Sequence, residues 1–193
     1  MRDFILYVNN PIKPDFSLND LPGSGRVDLI ARCVSSALWL SHNVRRDTNI
    51  HICFETNGVR FVLSFFGLKI KRVSPDERNI ASWIKKAIQI ALENKERVQE
   101  GIIIRKIDIE TFLNEFTDRD IVILKEEGVD IRKVELENPV FILGDHLDIP
   151  ENVLNIVKKF NPKIVSLGPK SYLASHAIVL VNNEMDRKLY NFT

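Results

Sequence analysis

Along the chain, short runs of consecutive apolar residues alternate with longer stretches in which apolar residues recur every three or four positions. The first pattern predicts strands buried on both faces of a sheet, and the second predicts helices lying over it. Residues 3–8 (Asp-Phe-Ile-Leu-Tyr-Val) predict a first strand. Asn9 to Gly25 holds three prolines and two glycines and predicts a long loop of the kind that lines sites. From Arg26 to Leu40, Val27, Ile30, Val34, Ala37 and Leu38 fall at helical spacing. Ile50–Phe54 and Val59–Phe66 predict two strands, with Asn57-Gly58 as a hairpin turn. Ser74-Pro-Asp-Glu77 predicts a helix start: Ser74 as cap, Pro75 at the first helical position and Glu77 closing a capping box. That helix continues through Ile80, Ile84, Ala87 and Ala91.

The second half repeats the alternation. Gly101–Ile107 predicts a strand, Glu110–Phe116 a short helix and Ile121–Leu124 a strand, with Glu126-Glu-Gly128 turning the chain toward Val129–Val134. A helix from about Glu151 to Phe160 is bounded by Pro150 and by Asn161-Pro162. The last strand is Ile164–Leu167, and a final helix begins near Ser171, with Ala174, Ala177, Ile178, Val181 and Met185 on one face. Two strands close on glycine-containing loops, in Pro139-Val-Phe-Ile-Leu-Gly-Asp-His146 and Lys163-Ile-Val-Ser-Leu-Gly-Pro-Lys170. Open α/β sheets bind ligands beyond the carboxyl ends of their strands, so the paired loops predict one pocket built largely from backbone. Each loop alone is also ordinary turn chemistry, with Asp145 bonding its own backbone. Gly168-Pro169 lacks an N–H that a phosphate would use, and neither a Gly-x-Gly-x-x-Gly nor a Walker lysine is present. An adenosine-type ligand fits better than a triphosphate.

Composition narrows the class. With 193 residues, 45% hydrophobic and 27% charged, the chain suits one compact domain with a real core. No run of about 20 apolar residues suggests a membrane span, and the acidic Asp3 interrupts any secretory leader, so a cytoplasmic location is expected. Cys33 and Cys53 lie in apolar runs and read as reduced, buried thiols. His42, His51, His146 and His176 lack metal-ligand spacing, so no metal is expected. The formal net charge of +1 gives no global reason for nucleic acid, which leaves local clusters to carry that argument.

One such cluster is Gly23-Ser-Gly-Arg26-Val-Asp28-Leu-Ile-Ala-Arg32. Asp28 and Arg32 stand at i and i+4, which suits an exposed helical ion pair. An Asp between two Arg residues behind a glycine loop equally suits phosphate binding and proton handling. Arg45-Arg46, Arg72 and Arg78 belong to further basic groups that would make an RNA footprint if the fold gathers them.

Several segments, in order along nearly the whole chain, resemble the archaeal tRNA pseudouridine N1-methyltransferases of the TrmY group, within the SPOUT class of knotted methyltransferases. They are Asp20-Leu-Pro-Gly-Ser24, Gly25-Arg-Val-Asp-Leu29, Ser41-His-Asn-Val-Arg-Arg-Asp47, Val73-Ser-Pro-Asp-Glu-Arg-Asn79, Glu137-Asn-Pro-Val-Phe-Ile-Leu-Gly-Asp-His146, Ile164-Val-Ser-Leu-Gly-Pro169, Ala174-Ser-His176 and Asn183-Glu-Met-Asp186. The resemblance implies an α/β fold over residues 1–193: a mostly parallel sheet with helices on both faces and a C-terminal trefoil knot at about 120–193. It also implies S-adenosylmethionine bent in that knot and a homodimer packed through it. The family's cofactor loops fall on Leu124, Leu143, Gly144, Asp145, Ser166, Leu167, Gly168, Pro169 and Ala177. Many relatives carry cysteine where Ala177 stands, and serine is common where Gly168 stands, so any role of that thiol is absent here.

The implied reaction methylates N1 of pseudouridine at position 54 of the tRNA T-arm loop. Pseudouridine is joined to ribose through carbon, which leaves N1 with a hydrogen to replace. Asp28 would assist proton removal, Arg26 or Arg32 would steady the developing charge, and Arg45, Arg46, Arg72 and Arg78 would contact phosphates. The target base would be flipped into the pocket. Two alternatives are a related methyltransferase acting on another RNA nucleoside, and an RNA-binding dimer that keeps the cofactor pocket but does little chemistry.

Overall fold

The computed structural model describes residues 1–190. Residues 191–193, the end of the expected single domain and of its knotted region, lie outside the described residues. The order of elements is β1 (Arg2–Tyr7), α1 (Val27–Leu38), β2 (Thr48–Thr56), β3 (Val59–Phe66), α2 (Glu77–Leu92), β4 (Arg97–Gln99), β5 (Ile102–Arg105), α3 (Ile109–Leu113, extended by a 3₁₀ turn at Asn114–Phe116), β6 (Ile121–Asp130), β7 (Val140–Gly144), α4 (Glu151–Lys158), β8 (Lys163–Ser166) and α5 (Ala174–Leu189). One sheet contains all eight strands in the order β4-β5-β3-β2-β1-β7-β6-β8. The pairs β2–β1, β1–β7, β7–β6 and β6–β8 are parallel, and β2–β3, β3–β5 and β5–β4 are antiparallel.

The unalternating apolar runs are explained by cover on both faces. Phe4, Leu6, Phe141 and Leu143 point into the larger core beneath α1, α2 and α5. Ile5, Val140, Ile142 and Ile123 point the other way, into a second core with residues of α3 and α4. Phe4 and Phe141 stack across neighbouring strands at 5.6 Å between ring centres. Cys33 and Cys53 are buried and free, and burial pushes both thiols up to about 12, which bears out the reading of inert core cysteines.

Three local expectations need correction. Asp76, not Ser74, caps α2: its carboxylate accepts from the Asn79 N–H at 2.8 Å, and the Ser74 hydroxyl donates to that same carboxylate. An ionised carboxylate complements the helix dipole better than a hydroxyl, so it takes the capping position and leaves Pro75 outside the helix. The Glu126-Glu-Gly128 turn is absent; β6 continues through it to Asp130, with a register shift between Leu124 and Val129. The last helix starts at Ala174, after an irregular stretch that includes Lys170–Leu173. The short edge strand β4 was not foreseen. Its three residues are too few to show a periodicity.

At the amino end of β1 lies a buried polar network that sequence reasoning missed. Asp3 Oδ1 accepts from His51 Nε2 and Asn49 Nδ2, both at 2.9 Å, and Asp3 Oδ2 accepts from Arg119 at 2.6 Å. His51 also bonds Ser64 Oγ at 2.8 Å, with Phe112 edge-on to its ring. Burial opposes the charge on Asp3, but the His51 and Asn49 bonds and the Arg119 guanidinium outweigh it and hold the carboxyl at about 2. Because the folded value lies below the unfolded one, the stabilisation is complete above about pH 4 and is lost as pH falls toward 2. It amounts to about 2 kcal/mol. Acid titration of wild type against Asp3→Asn by circular dichroism should therefore show the variant with a shallower loss of stability over that window.

Candidate functional site

The parallel strands place their carboxyl ends side by side, and a pocket of about 200 Å³ opens there. Leu124 ends the first β8-paired stretch of β6, before its register shift, Leu143 and Gly144 end β7, and Leu167 and Gly168 follow β8. All five line the pocket, together with Asp145 and with Ala177 from α5. The sequence-predicted wall is thus largely assembled. Ser166 and Pro169 do not line it. Ser166 instead sits behind the wall, bonded to the Glu126 carbonyl at 3.0 Å and accepting from the Gly168 N–H at 3.1 Å. The rim residues Lys125, Glu126, Asp148, Lys170, Ser171 and Tyr172 were missed: Asp148 and Lys170–Tyr172 lie in irregular loops without a periodic signal, and Lys125 and Glu126 lie where charged residues read as a turn but β6 continues.

Two glycines act differently here. A Cβ on Gly144 would lie 2.3 Å from the Asp148 carbonyl carbon and 2.5 Å from the Ile149 nitrogen, so this position admits no side chain. Gly168 has open space around it, but its φ of 131° favours glycine. Asp145 performs the turn chemistry expected of it, accepting from the Leu147 N–H at 2.9 Å. Its carboxylate also takes the backbone N–H of Asn9 at 2.8 Å and the Asn9 amide at 2.7 Å, tying the end of β1 to the pocket wall.

The Arg26–Asp28–Arg32 cluster is fully formed at the start of α1. Arg26 donates twice to Asp28, at 3.0 and 3.1 Å, and Arg32 donates at 2.7 Å. The Asp28 side chain is 6% exposed, whereas those of Arg26 and Arg32 are 39% and 41% exposed. Burial works against ionisation of Asp28, but the bonds from Arg26 and Arg32 prevail and lower its pKa. Asp28 is thus a weak base that fixes two guanidinium groups with their outer edges open. The Asp28 bonds chiefly, and Asp145 to a lesser degree, raise the pKa of Arg26. Arg32 also reaches Glu77 at the start of α2, at 3.5 Å.

Arg26 has φ 60° and ψ 36°, a left-handed conformation in which a branched backbone costs about 1 kcal/mol or more. That conformation directs its side chain back onto Asp28. Arg26→Gly should relieve up to about 1 kcal/mol of backbone strain while abolishing both hydrogen bonds to Asp28, so its stability gain is smaller than that relief. Thermal melts read the first effect and turnover reads the second.

The four arginines expected at phosphates divide into two pairs. Arg45 is committed to Asp186, donating at 3.0 and 2.7 Å, and Arg2 pairs with the same carboxylate at 2.9 Å, which locks α5 to the sheet. Arg46 donates to the Gly67 carbonyl at 2.9 Å. Arg72 and Arg78 are exposed, and Arg78 follows Glu77 directly, beside the Arg32 contact. Arg45 and Arg46 are thus held by partners within the fold, and Arg72 and Arg78 are left exposed. No group of three or more His, Cys, Asp or Glu side chains is arranged to hold a metal among the described residues. No described helix is long and apolar enough to cross a membrane.

The family model described as "Putative SAM-dependent RNA methyltransferase" matches residues 1–190. The chain belongs to this family. Among curated members of this methyltransferase family, the chain is 42% identical over 198 residues to the tRNA (pseudouridine(54)-N(1))-methyltransferase of Methanococcoides burtonii, covering 98% of each. It is 38% identical to the enzyme of that name from Methanocaldococcus jannaschii, covering 97% of this chain and 98% of the relative. Archaeoglobus fulgidus Nep1, crystallised with S-adenosylhomocysteine, has the same fold with a TM-score of 0.64 over 96% of this chain and 97% of its own, at 14% identity. The expected α/β fold, with a mostly parallel sheet and helices on both faces, is borne out.

Proposed function

We propose that this protein transfers a methyl group from S-adenosylmethionine to N1 of pseudouridine 54 in the T-arm loop of tRNA. The single observation that carries this reading is the strand-end pocket walled by Leu124, Leu143, Gly144, Leu167 and Ala177, in a chain whose full-length relatives are named for that activity. The pocket chemistry suits the cofactor. Leu124, Leu143, Leu167 and Ala177 give an apolar wall for an adenine ring, and the rim charges Lys125, Glu126 and Lys170 suit a zwitterionic tail. Bound there, the cofactor supplies a methyl activated by its sulfonium. Gly144, Gly168 and the turn at Asp145 shape the wall, and Ser166 holds the Gly168 loop from behind.

Arg26 and Arg32 stabilise the negative charge that develops on the pseudouridine ring as its N1 proton leaves. Asp28 assists proton removal chiefly by holding both guanidinium groups in place, since its own lowered pKa makes it a poor acceptor, and the N1 proton passes to solvent water as N1 takes the methyl and S-adenosylhomocysteine leaves. Arg72 and Arg78 contact the RNA backbone. The protein acts in the cytoplasm, where its RNA substrate is found.

The knot and the dimer belong to the same reading. Val165 in β8 is the partner of both Leu124 and Val129, and a Cβ on Gly128 would lie 2.6 Å from the Val165 carbonyl carbon. These facts support a wrap of residues 125–130 around β8, which makes the crossing of a trefoil knot; an experimental trace in which α5 never passes through that loop would remove it. Val129, Ile164, Val179, Leu189 and Tyr190 are exposed apolar residues on β6, β8 and α5 or just beyond it, and they support a homodimer through this region. Sedimentation at the mass of one chain would exclude it.

The test of the activity is incubation with labelled cofactor and T-arm transcripts that contain pseudouridine or uridine at position 54. Label should enter the pseudouridine transcript alone. Label in both transcripts would favour another nucleoside, and cofactor binding with label in neither would favour an RNA-binding protein.

A further inference from the structure

On the face of the sheet opposite α1, a second recess of about 60 Å³ opens at the carboxyl ends of β1 and β2. It is lined by Tyr7, Asn9, Glu55, Arg60 and Asn152, and it continues into an open trough of about 640 Å³ that shares Glu55 and Arg60 and adds Lys106. Asn9 forms the wall between this recess and the pocket described above, because its amide donates to Asp145 and to the Asp148 carbonyl, both at 2.7 Å. The two cavities therefore adjoin at one edge of the sheet.

The chemistry of the recess is unspent. Arg60 stands opposite Glu55 across the hairpin, yet no carboxylate lies within ion-pair distance of it among the described residues. Asp108 lines the trough but is engaged in capping α3, accepting from the Thr111 N–H at 2.8 Å. Tyr7 is half-buried, and burial, the largest influence on it, raises its pKa, so the phenol stays a neutral donor. The inner recess has room for a few waters or the edge of one ring. The larger part of any ligand must sit in the trough, beside Arg60 and Lys106.

We infer that this trough is the subsite for a nucleotide flanking the target pseudouridine, with Arg60 and Lys106 on its phosphates and Tyr7 and Asn152 reading the edge of its base. A single strand with one base flipped into the first pocket must leave its neighbour at the same sheet edge, and a trough that offers Arg60, unpaired among the described residues, and Lys106 behind a shared wall receives it. The inference rests on the RNA reading of the first pocket, and it adds a specificity determinant that lies outside that pocket.

The test compares wild type, Arg60→Ala and Lys106→Ala with a T-arm stem-loop and with the same RNA made abasic at each nucleotide beside the target. RNA binding is measured across salt concentrations, and cofactor binding is measured separately by calorimetry. Each variant should weaken RNA binding about tenfold and reduce the salt slope by about one, with cofactor affinity unchanged. One abasic RNA should lower wild-type affinity while Tyr7→Phe loses no further affinity on it. If both lysine and arginine variants bind like wild type, while wild type methylates the stem-loop, the trough assignment is wrong and the activity stands. If wild type methylates nothing but the variants still lose RNA affinity, the trough is supported and the activity is not. If wild type binds no RNA, both fall.

Discussion

Arg32→Ala is expected to lower the turnover of pseudouridine methylation by about 100-fold or more, with cofactor affinity within about twofold of wild type. Arg32 donates to a nearly buried Asp28 at 2.7 Å and reaches Glu77 only at 3.5 Å, with its side chain 41% exposed. That arrangement suits a group held ready for charge that develops only in the transition state. Arg26 keeps both of its bonds to Asp28 in this variant, and a thermal melt run beside the assay separates lost stability from lost turnover. Arg32→Lys keeps the charge but not the planar fork, and should recover only part of the rate. Were the cluster merely a helical ion pair, Arg32→Ala would leave turnover within a few-fold of wild type. Single-turnover methylation with saturating cofactor reads the difference.

Gly144→Ala should weaken S-adenosylmethionine binding by about tenfold to 100-fold, corresponding to roughly 1.4 to 3 kcal/mol. The added carbon would meet the backbone of Asp148 and Ile149 at 2.3 to 2.5 Å, and backbone cannot rotate aside as a side chain can. Relief requires the 145–149 turn to move, and that turn carries Asp145 and Asp148 in the pocket wall. The same displacement breaks the Asn9 bonds that join the two cavities. Overpacking of this kind costs about 1–3 kcal/mol of stability, so calorimetric binding and thermal melts should both shift. An unchanged affinity with a lowered melting temperature would separate Gly144 from the cofactor.

Much of this site was legible before the fold was known. Runs such as Val140–Leu143 and Ile121–Ile123 carry no alternation because each residue meets a core, on one face or the other. Their carboxyl ends therefore mark a pocket wherever a glycine follows, as at Gly144 and Gly168. The Arg26–Asp28–Arg32 spacing likewise contains its own geometry, since i and i+4 meet on one helix face. What stayed hidden depends on distant partners. Nothing near Arg45 in sequence announces Asp186, 141 residues away, so a structural arginine read as an RNA contact. Asp3, His51, Ser64 and Arg119 come together only when β1, β2 and β3 align beside the segment preceding β6. The continuation of β6 through Glu126-Glu-Gly128 is invisible for the same reason. Charged residues and glycine signal a turn locally, and only the close passage of Gly128 over Val165 rewards an extended chain.

A structure with S-adenosylhomocysteine bound tests the central claim most directly. The ligand should lie against Leu124, Leu143, Leu167 and Ala177, with its sulfur facing Arg26, Asp28 and Arg32. A ligand lodged elsewhere, or a sulfur turned away from those three side chains, would contradict the account.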